Sequence, residues 1–285
     1  MKVITFFTFI LFLGLQSYSQ TIKGKIYDSS NGDPLIYASI GVIETPLGTI
    51  SDEMGNFSLE VNGQDPKTIV RFSMIGYKSQ SFSIEQLKDQ ENEIKLEVET
   101  TQLPEVIVKP LGKLKKVGTD SYTKPGPVCG WSGLEFGKGS EHGLKIELGD
   151  QAVRLKRISI RVCFLSFDSC LFRLHVRDIV DNLPHNELLN ENIMIPIAKN
   201  SGWVDIDLNK YNLVFKGDLA VTIEWIKVIG AHEDRIVKMN SRQASSNNVL
   251  LNLKMKEGCF YTRKATEDRW KLIDNQSPSI YLTVQ

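Results

Sequence analysis

GTISDEMGNFSLEVNGQDPKTIVRFSMIGY, residues 48 to 77, is the stretch from which the fold is read. Thr49 to Ser51 is β-prone, and Asp52-Glu53-Met54-Gly55-Asn56 is a cluster of turn formers. Phe57, Leu59 and Val61 then alternate with Ser58, Glu60 and Asn62. Period-2 alternation bounded by turn residues is the pattern of a strand with one buried face. A further strand, Thr68 to Ile75, runs into Gly76-Tyr77. Strand, turn, strand, loop, strand in thirty residues predicts a small β-sandwich.

Working outward, Thr21 to Tyr27 reads as the first strand, and residues 28 to 34, DSSNGDP, as a dense turn signal. Leu35 to Ile43 follows as the second strand, and Thr45 to Gly48 turns into the quoted stretch. Asp28, Asn31 and Asp33 do not have the alternating acidic spacing of a calcium loop, so Asx-turn chemistry accounts for them. Ser83-Ile84-Glu85-Gln86 has the form of a capping box for one helical turn. Glu93 to Val98 closes the domain, and residues 20 to 98 are expected to fold alone.

Five blocks now stand in order: Gly24 to Asp28, Gly32 to Leu35, Ala38 to Ile40, Gly48 to Phe57 and Phe72 to Tyr77. In this order they resemble the carboxypeptidase-like regulatory domain family over roughly residues 20 to 98. The resemblance implies a transthyretin-like, seven-stranded sandwich without an active site of its own. Such domains stand beside carboxypeptidases, at the front of TonB-dependent outer-membrane receptors and in bacterial surface proteins. Leu103 to Val108, LPEVIV, is similar to the segment that follows the domain in those receptors. The remaining chain is too short for a receptor plug and barrel, so transport is not carried over.

The 285 residues suffice for two domains. Lys+Arg 34 against Asp+Glu 34 leaves no global field that would favour nucleic acid. Lys2, an apolar run from Val3 to Leu15, and Ser17-Tyr18-Ser19 form a signal peptide over residues 1 to 19, cleaved before Gln20. That run is shorter than the ~20 apolar residues of a membrane span. The chain is therefore expected to be exported, to the periplasm, the outer membrane or the cell surface, with no transmembrane segment in the mature protein. Its four cysteines, Cys129, Cys163, Cys170 and Cys259, are disulfide candidates in that compartment. Cys163 and Cys170 bracket a predicted hairpin loop, although their side chains fall on opposite faces.

Glu99 to Val128 carries Pro104, Pro110, Pro125 and Pro127 and five lysines, and reads as a solvated linker. Alternation returns at Cys129. Nine short strands between Gly143 and Val284 predict a second sandwich of jelly-roll type, so the chain is expected to be all-β. Leu171 to Trp225 resembles the jelly-roll modules of carbohydrate-binding proteins.

The search for chemistry is mostly negative. His142, His175, His185 and His232 are scattered, and no H-x-x-E or H-E-x-x-H motif holds a catalytic zinc. Gly130-Trp131-Ser132-Gly133 lacks the last glycine of a nucleophile elbow, and Gly133 to Lys138 is one residue short of a phosphate loop. No cofactor, metal or catalytic residue is assigned. One constellation stands out: alternation puts Val204, Ile206 and Leu208 inward and Trp203, Asp205 and Asp207 together on the outer face. An aromatic ring beside two acceptors is a platform for a sugar, or, with Asn209, a place for calcium. Trp225, in phase with Val221 and Ile223, belongs to the core. The expectation is a non-catalytic envelope module for binding, adhesion or scaffolding, with an envelope protein or a surface glycan as partner. Carbohydrate binding is the alternative, and a hydrolase or its accessory subunit the third reading.

Overall fold

The computed structural model describes residues 20–87, 91–99, 112–132, 137–198, 201–231, 238–239, 242–243 and 248–285. The signal-peptide reading lies outside them, as do residues 100–111 of the expected linker. Among the described residues no helix is long and apolar enough to cross a membrane. The fold is all-β, in two sandwiches.

Seven strands build the first. β1 (Thr21–Asp28) lies between β4 (Asn56–Glu60), antiparallel to it, and β7 (Glu91–Leu96), parallel to it. The facing sheet has β2 (Ser39–Val42) between β3 (Gly48–Ile50) and β5 (Ile69–Ser73), with β6 (Gln80–Ser83) at its edge. Ile26, Ile40, Phe57, Leu59, Val70 and Phe72 fill the space between. The Asp52 carboxylate sets the turn into β4 by accepting from the backbone N–H of Met54 and of Asn56, each at 2.8 Å. Gly55 takes φ +77° there, and a Cβ on it would lie 2.7 Å from the Ile26 carbonyl. Asp28 and Asn31 make the expected Asx turns, and Gln86 reaches back to the Ser83 N–H at 2.8 Å ahead of α1 (Ile84–Leu87).

β2 is buried at all four positions. Ile40 and Val42 face the core of their own domain. Ser39 and Gly41 face the second domain, where a Cβ on Gly41 would lie 2.7 Å from Glu267 Cγ. Small residues on alternate positions let the second sandwich approach the sheet backbone. β5 ends two residues earlier than the sequence predicts. Its continuation turns away and places Ile75 in the core of the second domain.

In the second domain, β8 (Lys115–Gly118), β9 (Val128–Ser132), β11 (Val153–Leu165), β15 (Gly202–Asp207), β16 (Val214–Phe215) and β22 (Ile280–Val284) form one layer. β10 (Glu141–Glu147), β12 (Phe167–Val180), β13 (Leu183–Glu187), β14 (Ile193–Ile197), β17 (Asp218–Ala231) and β21 (Lys271–Pro278) form the other. The long strand β20 (Asn248–Arg263) joins them, its first half pairing β9 and β11 and its second β10 and β21. β18 (Lys238–Met239) pairs with β19 (Arg242–Gln243). The layers meet through Trp131 on β9, whose ring lies 4.7 Å from Phe172 and 5.9 Å from Trp225. Trp225 is a core residue, as its phase predicts.

Three expectations change. Lys115 to Gly118, read as linker, pairs with β22 and so belongs to the second sandwich. The predicted hairpin between Cys163 and Cys170 is a crossing between layers: β11 and β12 are separated by Ser166 alone and do not pair with each other. All four cysteines are free. Cys163 and Cys170 sit in different layers, Cys129 is opposite Leu251 on β20, and Cys259 is opposite Asp274 on β21. Burial pushes the Cys129 thiol up to about 12 and that of Cys170 up as well.

Candidate functional site

β15 pairs along Arg157 to Val162 of β11. Its alternation sends Val204 and Ile206 against the core, leaving Asp205 and Asp207 exposed and Trp203 half-buried on the outer side. The Trp203 ring meets Tyr281 of β22 edge-to-face at 5.0 Å, and Lys116 Nζ stands 4.7 Å from that tyrosine ring. Asp205 accepts from Ser159 at 2.5 Å. Asp207 accepts from the Asn209 backbone N–H at 2.8 Å and from its side-chain amide at 2.6 Å. Those two bonds lower the Asp207 pKa and close an Asx turn onto Asn209. The three residues thus share a face, with the Asp207 carboxylate engaged by Asn209.

A second polar row was not singled out in the sequence. β12 reads Leu171-Phe172-Arg173-Leu174-His175-Val176-Arg177, with Phe172, Leu174 and Val176 in the sandwich core and Arg173, His175 and Arg177 on the opposite side. β17 contributes Thr222 and Glu224, paired across from His175 and Arg173, and β10 contributes Glu141 opposite Glu224. The first domain covers the Arg173–Glu224 end of this row. Arg173 is 1 % exposed and Glu224 0 %.

Glu224 is the junction. Its Oε1 accepts from Ser39 at 3.1 Å and Thr266 at 3.0 Å, and its Oε2 from His175 Nε2 at 3.0 Å, with Arg173 Nη1 at 3.4 Å. Arg173 crosses to the first domain, donating to Ser39 Oγ at 3.2 Å and to the Tyr37 carbonyl. Glu141 accepts from Arg177 Nη1 at 2.7 Å, Thr222 Oγ1 at 2.6 Å and Arg263 Nε at 2.9 Å. His175 Nδ1 lies 2.6 Å from Glu187 Oε2. Trp270 stacks beneath the guanidinium groups of Arg263 and Arg177, at 4.4 and 5.5 Å.

Burial raises the cost of each charge, so the partners decide the protonation states. Burial works against the Glu224 carboxylate, but Arg173 and His175 outweigh it and hold the group at about 2. Glu141 is opposed by burial and pulled well down by Arg177 and Arg263. Burial and neighbouring Arg177, whose Nη2 lies 2.8 Å from Nδ1, disfavour a charged His175. Glu141 and Glu187 prevail and raise its pKa, and each ring nitrogen lies within hydrogen-bond distance of a carboxylate. The cluster is a charge-matched seam between two domains, extended at its margin by Arg71–Glu267 at 3.3 Å and Lys227–Glu53 at 2.5 Å.

The signal available in the sequence was the regular spacing of Arg173, His175 and Arg177 among Leu174 and Val176. Three charges on one face of a strand that is apolar on the other mark a solvated or a covered row, and only the fold distinguishes these.

Residues 22–108 match the family model of the CarboxypepD_reg-like domain, so the first sandwich is a domain of that family. TonB-dependent receptor SusC of Bacteroides thetaiotaomicron is 37% identical over 108 residues, which are 37% of this chain and 10% of the receptor. TonB-dependent receptor P3 of Formosa agariphila is 30% identical over 113 residues, 39% of this chain and 11% of the receptor. The chain spans about a tenth of the length of these curated relatives.

Proposed function

We propose that the chain is a non-catalytic protein of the cell envelope, exported and held at the periplasmic or outer face of the outer membrane. In this reading its CarboxypepD_reg-like domain and second sandwich act as one binding, adhesion or scaffold module. The observation that carries it is the seam: Arg173 and Glu224 of the second domain engage Tyr37 and Ser39 of the first while almost wholly buried. Two small sandwiches fixed in this way present a single rigid surface to a partner. His175 lies within hydrogen-bond distance of both Glu187 and Glu224. The similarity to two TonB-dependent receptors supports the envelope context.

A second reading, glycan binding, is favoured by the Trp203–Tyr281 pair beside exposed Asp205 on an open strand face. Pull-down of the tagged mature protein from envelope fractions, run beside a polysaccharide panel, separates the two. Protein partners without glycan retention support the scaffold. Glycan retention without a protein partner supports the second reading.

A further inference from the structure

Beside the seam the two sandwiches leave a cleft of ≈ 370 Å³. This is within the range of small-ligand sites, ~300 to 1,000 Å³. One wall is apolar, formed by Met74 and Ile75 of the first domain and Leu188 and Leu189 of the second. The other carries Arg71 and Arg173. Arg173 is almost wholly buried, and its Nη1 and Nη2 are engaged, yet its Nε has no acceptor. The Nε of Arg71 is likewise buried and without an acceptor. A buried donor left unmade is costly, and two of the four such arginine Nε groups among the described residues belong to residues that line this cleft.

We propose that this cleft binds a carboxylate carried on a short apolar group, its oxygens meeting the two arginines and its hydrocarbon lying on Ile75 and Leu189. The chemistry follows from the lining. Arginine N–H groups match carboxylate oxygens, and charge-assisted bonds to a desolvated guanidinium are stronger than neutral ones. The charge balance also admits an anion. Among the residues lining it, Arg71, Arg173, Arg177 and Arg263 stand against Glu99, Glu187 and Glu267. Burial raises the Glu267 pKa, which moves that carboxyl toward its neutral form. Glu99, also at the cleft, is exposed. Such a ligand has two sources, a free aliphatic acid or the C-terminal residue of an extended partner chain. This inference is independent of the envelope role, and its failure would leave that role untouched.

The test is titration of the full mature chain, labelled with ¹⁵N, with N-acetyl-leucine and N-acetyl-leucinamide, following the arginine Nε–H resonances. A Leu-terminated pentapeptide and its amide form the second pair. The acids should shift the Arg71 and Arg173 signals, and the amides should bind about tenfold more weakly or not at all. Arg71→Gln should weaken acid binding about tenfold while leaving the melting curve in place. Comparable affinity for N-acetyl-leucine and the peptide assigns the site to a small acid. A peptide that binds at least about tenfold tighter assigns it to a chain end. No shift with either acid, or equal shifts with acid and amide, overturns the proposal and leaves the two donors to water. The shifts in the parent protein decide the matter even if the Arg71 variant does not fold.

Discussion

The second domain carries two polar rows built by the same strand alternation, with opposite fates. Trp203, Asp205 and Asp207 line the outer side of β15 and remain partly or fully open to solvent. Arg173, His175 and Arg177 line the outer side of β12 and are covered, Arg173 by the first domain and Arg177 by Trp270, none more than 6 % exposed. The covered row has what the open one does not need: a counter-charge for each guanidinium, with serine and threonine hydroxyls on the remaining carboxylate lone pairs. A strand face becomes an interface by charge matching as much as by hydrophobicity. The outer side of β2, with Ser39 and Gly41, shows the matching requirement for small size.

The largest effect should come from breaking that match. Glu224→Ala leaves Arg173 and His175 buried without their shared carboxylate, and removing one partner of a buried pair costs ~3 to 5 kcal/mol. Denaturant unfolding of the variant measures it. A loss below ~1 kcal/mol, the range of exposed pairs, would mean that the seam is solvated and the contrast between the rows is false.

Acid should act through the same groups. The folded pKa of Glu224, about 2, lies below its usual 4.5, so its contribution is present above pH 4.5 and is lost as the pH falls toward 2. Over that interval the loss is up to ~3 kcal/mol. His142 is held neutral against Trp131, with Nε2 3.0 Å from the Gly130 carbonyl and Nδ1 2.9 Å from Thr262 Oγ1. Burial lowers its pKa from 6.5 to about 4, so stability also declines as the pH falls from 6.5 to 4. His175 runs the other way: its raised pKa gives a contribution present below pH 6.5 that is lost as the pH rises through the folded value. Stability measured against pH should therefore fall in two acid stages, with His142→Gln abolishing the upper one and sparing the lower. A profile flat from pH 6.5 to 3 would contradict both assignments.

Gly41→Val tests size rather than charge. Its side chain would meet Glu267 across the seam while leaving the core of its own domain untouched, and overpacking costs ~1 to 3 kcal/mol. Limited proteolysis should cut the variant between the sandwiches faster than the parent, with the 20–98 fragment persisting. Equal cleavage rates would show that the domains are not held by this contact.

The first domain was the more legible because its strands obey local rules. Asp52 and Gly55 set a turn, Phe57 and Leu59 alternate inward, and most elements lie close to their predicted spans, although β2 covers only Ser39–Val42 of the expected Leu35 to Ile43. Ile75 departs from its expected strand because the second domain supplies a better burial site, a fact outside local sequence. In the second domain most strands were readable, but pairing was not. The alternation of β11 and β12 says nothing about Ser166 carrying the chain from one layer to the other, and the wrong hairpin made Cys163 and Cys170 seem neighbours. The covered row escaped for a related reason: Arg173, His175 and Arg177 would alternate identically on an open face. Their partners come from Tyr37, Ser39, Glu141 and Glu224, separated by up to 187 positions in the chain.

The smallest expected effect belongs to the open row. Trp203 is half-buried, and its ring meets Tyr281 edge-to-face, a contact worth ~0.5 to 1.5 kcal/mol beyond the area it covers. Trp203→Ala should therefore cost well under the ~3 to 5 kcal/mol of a core aromatic truncation, because Val204 and Ile206 continue to hold β15 on the core. Thermal melts of the variant and of Trp225→Ala, a true core position, provide the scale. If the two losses are equal, Trp203 is a structural plug and the open face is not available to a ligand. If Trp203→Ala melts near the parent and loses retention on a polysaccharide column, the row left uncovered by the first domain is where the sugar lies. A variant that melts near the parent and retains glycan as the parent does would place any sugar elsewhere on the chain.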